Sequence, residues 1–379
     1  MEALSYTLSV NQRPAPPELL AALQQIELET SVEEADIMRL RIAIGPKEDR
    51  TGWTVVDSGV FDRLTPIRLG IALGGRPAEL LVDVLVTEVS LAFSGRPGES
   101  VLNVVAMDIS ALLNLEEKKR DWPNKSDSDI VKEIFANALK SKSSRCNFGR
   151  FGYELVPVVE STSRKRNDRD QKVVQRGTDM SFLKSLATRN GNWAVYMATN
   201  PETKKIEGHF HPKRLDSSPQ GELRVNRGAH TNVDRFGVSY NMMLPMIAIG
   251  AGTDADTQTE QPGEATSIRQ PLLGSKSVLD HGCPRVVLLE QTGLQLSGDL
   301  QLRAQADVDR NGLNAIRATG EVTTAAYGGL LLPDRTVTVS GVGPEFSGTY
   351  YVESVSHTLS GEGYTQSFSL RRNALGQGG

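Results

Sequence analysis

The sequence predicts an α+β protein that is mostly β, and three features lead to this class. Alternating apolar and polar residues run through the first hundred residues, two helical patterns lie between residues 124 and 190, and a second alternating, glycine-bounded region follows residue 320. A period of two is typical of half-buried strands, whereas a period near 3.6 indicates helices. The 379 residues, 39% of them hydrophobic, are enough for two or more domains.

The N-terminal β region consists of apolar runs with a period of two. These runs lie at residues 4–10, 38–44, 67–73, 79–93 and 101–108. Several strands joined by short turns rich in glycine and proline are typical of an antiparallel sheet or a small barrel. We therefore expect an antiparallel β unit at the start of the chain.

The first predicted helix lies in NKSDSDIVKEIFANALK, residues 124–140. Ser126 is a good N-cap, because its hydroxyl can accept a hydrogen bond from a backbone N–H of the first turn. Asp127 and Asp129 follow in that turn, where the helix dipole favours negative charge.

The second predicted helix lies in QRGTDMSFLKSLATRNGNWAVYM, residues 175–197. Thr178 is its expected N-cap, and Phe182 and Leu183 belong to its apolar stripe. An Asn-Gly pair that ends at Gly191 is a typical helix stop, and alternating residues after it predict a strand. Helix, stop and strand form one compact α/β element.

The chain between the helices and the C-terminal strands is more polar. Residues 253–276 are rich in Thr, Gln and Gly, which predicts a linker or exposed loop. Residues 297–320 have a helical pattern that Gly312 weakens.

The C-terminal β region, RTVTVSGVGPEFSGTYYVESVSHTLSGEGYTQSFSLRR, predicts three strands. We expect Gly348 and the pair Gly361 and Gly363 at turns and bulges. On its strand His357 shares a predicted face with Tyr351, Val355 and Leu359, which is typical of a packed, hydrogen-bonded core histidine.

Composition excludes some classes of function. A net charge of −4 argues against a nucleic-acid binder that works by neutralising phosphates. The N-terminus lacks the pattern of a secretion signal and no apolar segment is long enough to span a bilayer, so we expect synthesis in the cytoplasm and no membrane insertion. Cys146 and Cys283 are far apart and have no metal-type spacing, so the pattern gives no reason to expect a disulfide.

Two motifs suggest metals, and neither is complete. DVDRNG, residues 307–312, matches the start of a calcium loop, but Ala318 stands where the loop needs a bidentate Glu. A helix interrupted by a polar turn is the better interpretation. His209 and His211 would share a strand face, as zinc ligands do, but no HExxH motif or cysteine pair accompanies them, which favours surface histidines.

No motif of catalysis is present either. His357 has no nucleophile or carboxylate partner marked in the sequence, and neither a phosphate-binding glycine loop nor a G-x-S-x-G elbow occurs. The basic run at residues 164–172 is interrupted by acidic residues and lacks aromatics, which indicates an exposed loop. We therefore predict no enzyme, no cofactor and no bound metal.

Three segments of the chain resemble the baseplate hub proteins of contractile tails. This family includes the phage late control protein D group, the hub of contractile-tailed phages and the N-terminal part of type VI secretion spike proteins. The similar segments are KSDSDIVKEIFANAL, VVQRGTDMSFLKSLATRNGNW and the C-terminal β region, in the family's order and spacing. The residues that carry the resemblance as a fold or interface signature are Asp127, Asp129, Gln175, Thr178, Asp179, Phe182, Leu183, Gly191, Gly341, Gly348, Tyr350, His357, Tyr364 and Arg371.

The resemblance implies two small β-barrels related to the tail-tube protein, with α/β insertions, assembled as a trimeric ring. In this sequence the first barrel would span 1–110 and the α/β insertion 111–235. The second barrel would combine 236–252 with 318–373, and 253–317 would be a polar linker and a helix.

The function that the resemblance implies is structural. A homotrimer would join a hexameric inner tube to a trimeric spike among other baseplate proteins, as a component of a virion or a phage-tail-like injection particle. Type VI spike proteins continue into an OB-fold and a β-helix, whereas this sequence ends at RRNALGQGG, so we expect the spike to be a separate chain. The alternative is a carbohydrate- or cell-surface-binding β protein that uses Trp53, Trp122 and Trp193.

Overall fold

The fold is known from a computed structural model. It describes residues 5–48, 51–75, 77–96, 98–138, 154–162, 173–254, 258–289, 294–295 and 299–377. Strands dominate and helices are few, so the α+β, mostly β class is confirmed. The basic run at 164–172 and Cys146 lie outside the described residues, and Cys283 is an exposed free thiol.

The N-terminal unit contains the five predicted strands, and residues 23–31, which were not predicted as a strand, form a further one. Its alternating apolar residues point to one face and build a core that includes Leu28, Met38, Ile67 and Val104. Its elements are β1 Ser5–Val10, β2 Arg13–Pro14, α1 Pro17–Ala22, β3 Leu23–Ser31, β4 Ile37–Ala43, β5 Pro66–Ala72, β6 Glu79–Ala92 and β7 Val101–Met107.

The middle region is a small α/β layer with its own core of buried apolar side chains. Both predicted helix caps are confirmed, because Ser126 Oγ accepts from Asp129 N and Thr178 Oγ1 accepts from Ser181 N. Gly191 follows the second helix with a φ of 95°, as its stop. The elements are α2 Ser110–Leu113, β8 Glu117–Asp121, α3 Asp127–Ala138, β9 Leu155–Val159, β10 Val174–Thr178, α4 Asp179–Arg189, β11 Ala194–Thr199 and β12 Ile206–His211.

A second, smaller sheet lies where the sequence predicts a polar linker. Its strands pair around the central β15, and a helix, α5, covers one face. The elements that follow the middle region are β13 Glu222–Arg224, β14 Arg235–Tyr240, β15 Met246–Asp254, β16 Glu260–Ala265, β17 Lys276–Ser277, β18 Arg285–Leu289, β19 Leu294–Gln295 and α5 Asp299–Ala315.

The linker prediction for 253–276 is therefore wrong at β16. Its inner face carries Gly263 and Ala265, which lie under the helix, while its outer face stays polar and exposed. Residues 246–252, assigned to the second barrel, also belong to this small sheet. The helix α5 runs through DVDRNG without interruption, and Ile268 packs closely against it at Gly312, where a Cβ would lie 2.5 Å from Ile268 Cδ1.

The C-terminal strands return to the main sheet. They are β20 Ile316–Thr323, α6 Thr324–Tyr327 as a short helix, β21 Thr336–Ser340, β22 Gly348–Ser360, β23 Gly363–Arg372 and β24 Ala374–Leu375. Strand β22 pairs with β3, and this contact makes one 13-stranded sheet of strands from both ends of the chain. The order along it is β14-β20-β23-β22-β3-β4-β7-β6-β5-β1-β2, with β21 on β22 and β13 on β21.

The main sheet contains the same pairing pattern twice. In the N-terminal part, antiparallel pairs connect β5-β6-β7-β4-β3, and in the C-terminal part they connect β21-β22-β23-β20-β14. The sequence order of the five strands is the same in both, and both long strands have a bulge, at Val86/Glu88 in β6 and at Val352/Ser354 in β22. We call these the N-terminal and C-terminal β units.

The bulge in β22 changes the predicted faces of this strand. An extra residue shifts the alternation by one, so Tyr351 packs in a separate cluster while Val355 and His357 stay on the core side. The bulge in β22 lies at Val352/Ser354 and at none of the three glycines, whereas Gly361 lies in the turn between β22 and β23, and Gly348 and Gly363 are the first residues of these two strands.

Replacement of Gly348 by valine is expected to destabilise the C-terminal unit. Gly348 has a φ of 135°, and a Cβ there would lie 2.6 Å from Nη2 of the buried Arg372. We expect Gly348→Val to lower the free energy of unfolding by about 2–4 kcal/mol in a denaturant titration. Gly361→Val is the control, since no atom lies within 4 Å of its Cβ position. Equal unfolding curves for the two variants would contradict this role of Gly348.

Candidate functional site

The predicted signature residues of the middle region hold its two main helices together. The guanidinium of Arg189 and the amide of Asn190, at the end of α4, both donate to the carboxylate of Asp127 at the start of α3, with Arg189 Nε at 2.7 Å. Asp127 is buried, so this ion pair fixes the relative position of the two helices.

A second hydrogen-bonded group lies beside the start of α4. Trp122 Nε1 donates to Gln175 Oε1 at 3.2 Å, and Gln175 Nε2 donates to Asp179 Oδ1 at 2.7 Å. Phe182 stacks on Trp122 with ring centroids 6.5 Å apart, and Leu183 is fully buried. These residues connect the helix to the strand pair β8–β10.

The signature residues of the C-terminal unit are also packed or hydrogen-bonded. His357 Nδ1 lies 2.9 Å from the Tyr364 hydroxyl, and Tyr350 donates to the backbone carbonyl of Phe346 at 2.7 Å. Arg371 Nε donates to Glu353 at 2.9 Å. At Gly341, a Cβ would collide with the carbonyl oxygen of Val225. The structure brings the signature into two groups, one in each region; its role as an interface signature stays a prediction.

A buried polar cluster that the sequence did not indicate lies where the middle region meets both β units. Its centre is Asp334, which is 1% exposed and accepts from the hydroxyls of Tyr351 at 2.8 Å and Tyr196 at 3.0 Å. The backbone N–H of Arg214 also donates to it, at 3.2 Å. We call this group, with His209 and His211, the junction cluster.

His209 and His211 are buried, so the prediction of surface histidines is wrong. Both histidines lie on β12. Tyr196 on the neighbouring strand β11 stacks its ring on His209, with centroids 4.5 Å apart. His211 Nδ1 donates to the carbonyl of Pro212 at 2.8 Å, and its Nε2 lies 3.1 Å from His209 Nδ1, within hydrogen-bond distance. Burial, together with His211 and Arg214, lowers the pKa of His209 to about 3, which keeps it neutral.

A pair of buried carboxyl groups lies near the junction cluster. The backbone N–H of Asp36 donates to Asp108 Oδ2 at 2.9 Å, and the backbone N–H of Asp108 donates to the carbonyl of Asp36. Burial raises the pKa of both, and for Asp36 the neighbouring Asp108 raises it further. The pair connects the turn after β3 to the end of β7.

The cleft beside these groups has a volume of about 170 Å³ and is lined by Tyr196, His209, Arg214, Asp334 and neighbouring residues. In the described part of the chain, no group of three or more His, Cys, Asp or Glu side chains is arranged to hold a metal ion. The hydrogen bonds of the cluster join side chains of the middle region to side chains of the C-terminal unit. The cluster therefore connects these two parts of the chain.

The structure does not favour the sugar-binding alternative. Trp122 is 2% exposed and is covered by the guanidinium of Arg120, while Trp53 and Trp193 are half-buried. Stacking on a sugar needs an exposed aromatic face. None of the described helices has the length and apolar character needed to span a bilayer.

The fold is that of phage tail proteins. No protein-family model and no curated protein matches the chain. Among solved structures, it is similar over 98% of its length to the tail protein from Neisseria meningitidis MC58, with a TM-score of 0.64, 12% identity and 97% of that chain covered. It is also similar over 98% to the 43 kDa tail protein of prophage MuSo2 from Shewanella oneidensis, with a TM-score of 0.65, 12% identity and all of that chain covered.

A type VI secretion component has the same fold. The E. coli c3393 protein, described as structurally similar to the T4 bacteriophage tail proteins gp27 and gp5, matches 96% of this chain with a TM-score of 0.57 and 12% identity. The match covers 76% of that protein. These similarities support the resemblance noted in the sequence, and at this identity they establish the fold alone.

Removal of the Asp334 side chain is expected to destabilise the junction. Asp334→Ala leaves two buried tyrosine hydroxyls without their acceptor, so we expect a loss of about 3 kcal/mol in the free energy of unfolding. Asp62→Ala, at an exposed carboxylate, is the control and should change it by less than about 0.5 kcal/mol. A similar small change for both variants in chemical denaturation would show that the cluster does not hold the regions together.

The buried His357 is expected to make stability fall in mild acid. Burial lowers its pKa to about 4 from the 6.5 of an exposed histidine. The depressed pKa stabilises the fold above pH 6.5, and this contribution is lost as pH falls towards 4, with a slope of up to about 1.4 kcal/mol per pH unit. Glutamine does not titrate, so the free energy of unfolding of the His357→Gln variant should depend less on pH than that of the protein without this substitution. The same change at the exposed His281 should leave the slope as it is, and a slope that His357→Gln does not reduce would contradict this role.

Proposed function

We propose that this chain is the structural hub of a contractile phage tail or phage-tail-like injection particle. The observation that carries the proposal is the match of almost the whole chain to phage tail proteins and to a type VI secretion component. The two β units with one pairing pattern support it, because they give one chain two similar surfaces.

The two β units are the proposed tube-like barrels, and three copies would present six of them in a ring. Such a ring has threefold symmetry in its chains and approximate sixfold symmetry in its units, so one side can bind a hexameric tube and the other a trimeric spike. The middle region and the small sheet with α5 are the proposed insertions outside the barrels. The proposed role is mechanical, with hub and spike closing the tube, starting its assembly and moving with it when the sheath contracts.

The oligomeric state and tube binding test the proposal. Light scattering on the purified chain should give the mass of a trimer, alone or with its spike protein. Mixed with the inner tube protein of the same particle, the chain should shorten the delay before tubes appear in electron micrographs. An unrelated trimeric protein at equal concentration is the control. A chain that stays monomeric with both partners and leaves tube assembly unchanged would contradict the proposed function.

A further inference from the structure

Within the five-strand pattern of the two β units, two stretches of strand edge have no partner strand in the described part of the chain. One is the outer edge of β14, the first strand in the sheet order. The other is the end of β6 with the residue after it, Thr87–Phe93, which we call distal β6. Its inner edge pairs with β7, but β5 pairs only with the part of β6 up to Leu85.

Distal β6 has an apolar face that is partly open to solvent, and the ring of Phe93 on this face packs against Trp53 with centroids 4.7 Å apart. Val89, Leu91 and Phe93 are 43%, 41% and 57% exposed and alternate with Ser90 and Ala92. Exposed strand edges in monomeric proteins are usually blunted by lysine, proline or a covering segment. Distal β6 contains neither residue, and its apolar side chains make it a surface for strand addition.

The pairing pattern of the two β units shows which strand fits this edge. When their bulges are superposed, Val89, Leu91 and Phe93 of β6 correspond to Val355, His357 and Leu359 of β22. Those β22 residues pair with β3 of the neighbouring unit, opposite Thr30, Leu28 and Ile26. The distal half of each long strand therefore extends beyond its own unit. The distal half of β22 pairs with β3 of the N-terminal unit.

The counterpart of β3 in the C-terminal unit is β14. Following the pairs from β7 through β4 to β3, and from β23 through β20 to β14, the segment Gln25–Thr30 corresponds to Arg235–Tyr240. This segment is the whole of β14, and its outer edge is the one without a partner.

We propose that distal β6 of one copy of this chain pairs antiparallel with β14 of a neighbouring copy. The register carried over from β22 and β3 places Val89 opposite Tyr240, Leu91 opposite Val238 and Phe93 opposite Phe236. The contact reproduces between chains the contact that joins the two units within a chain.

The side chains agree with this register, which follows from backbone pairing alone. Each exposed apolar residue of distal β6 faces one of the half-buried apolar residues of β14, and Ser90 faces Ser239. A shift by one residue would place Leu91 opposite Gly237 or Ser239 instead. Apolar pairs that face each other across two strands stabilise a sheet, so the register is also the energetically favourable one.

The contact is heterologous, because it joins different surfaces of two copies. Heterologous contacts form rings when the rotation closes and filaments when it does not. Ring closure with three copies rests on the proposed function, whereas the contact itself rests on the pairing pattern and the exposed face.

Disulfide crosslinking tests the contact. In the full-length chain with Cys146 and Cys283 changed to serine, Ser90→Cys and Ser239→Cys place thiols on directly opposed residues. Opposed residues of an antiparallel pair have Cα atoms about 4.5–5.5 Å apart, which suits a disulfide. Co-expressed single variants should form covalent dimers, each variant alone should form none, and the double variant should form a covalent ring of the oligomer's full mass.

Arg235→Cys is the register control, since it lies four residues from Ser239, about 13 Å along the strand. Paired with Ser90→Cys it should give at least about tenfold less dimer. Equal crosslinking by both pairs, or crosslinking of Ser90→Cys with itself, would overturn the proposed contact.

A second measurement does not depend on thiols. Leu91→Asp should weaken self-association by about tenfold or more while leaving the circular dichroism spectrum unchanged, because the side chain is already exposed. Leu115→Asp, at a leucine that is 44% exposed elsewhere, should leave association unchanged. If the chain is trimeric but neither the crosslink nor the Leu91 effect is found, this contact is wrong and the hub remains supported. If the chain is monomeric with tube and spike, the proposed function fails as well.

Discussion

The structure depends on one antiparallel contact, between β22 and β3. It pairs Ser354–Ser360 with Gln25–Ser31, residues from opposite ends of the chain. The contact lies in the middle of the sheet order, so without it the main sheet would be two separate pieces. Leu359 and Tyr364 from the C-terminal strands are part of the N-terminal core, which shows that the N-terminal unit does not complete its core alone. A contact between such distant residues carries an entropic cost of closure, and the apolar burial of Leu359 and Tyr364 in the N-terminal core helps to offset it.

The junction cluster defines the orientation of the middle region relative to the two β units. Apolar packing alone allows two surfaces to slide, whereas hydrogen bonds to one carboxylate require a defined geometry. Asp334 accepts from Tyr196 of the middle region and from Tyr351 of β22, so one buried group relates the insertion to the C-terminal unit. Nearby, Lys213 donates to Glu33 in the turn after β3, which relates the same region to the N-terminal unit. The proposed hub role requires relative positions that are fixed in this way.

Local patterns in the sequence predicted local structure well. Periodicity identified β1, β4, β5, β6 and β7 of the N-terminal unit but not β3, and capping residues located α3 and α4, because these signals depend only on neighbours along the chain. The strand β16 was missed because its buried face carries Gly263 and Ala265, small residues that fit under a helix and leave no hydrophobic pattern. The junction cluster was missed for another reason: what buries His209 and His211 is Tyr196 and chain far from them in sequence. No local pattern predicts which distant residue will cover a polar one.

The repeat of the pairing pattern shows what the two β units have in common. Their equivalent positions differ in chemistry, with His357 in β22 where β6 has Leu91, so the common feature is backbone register. The bulge is part of that register. It bends a long strand at the point where the strand leaves its own unit and changes which side chains face the core. In β22 the bent half meets β3 and becomes buried, whereas the equivalent half of β6 stays exposed. When two similar units are joined through one such contact, one strand edge of each unit stays unpaired. In the described chain these edges are distal β6 of the N-terminal unit and the outer edge of β14 of the C-terminal unit. A closed ring of copies is the arrangement in which every one of these edges is paired.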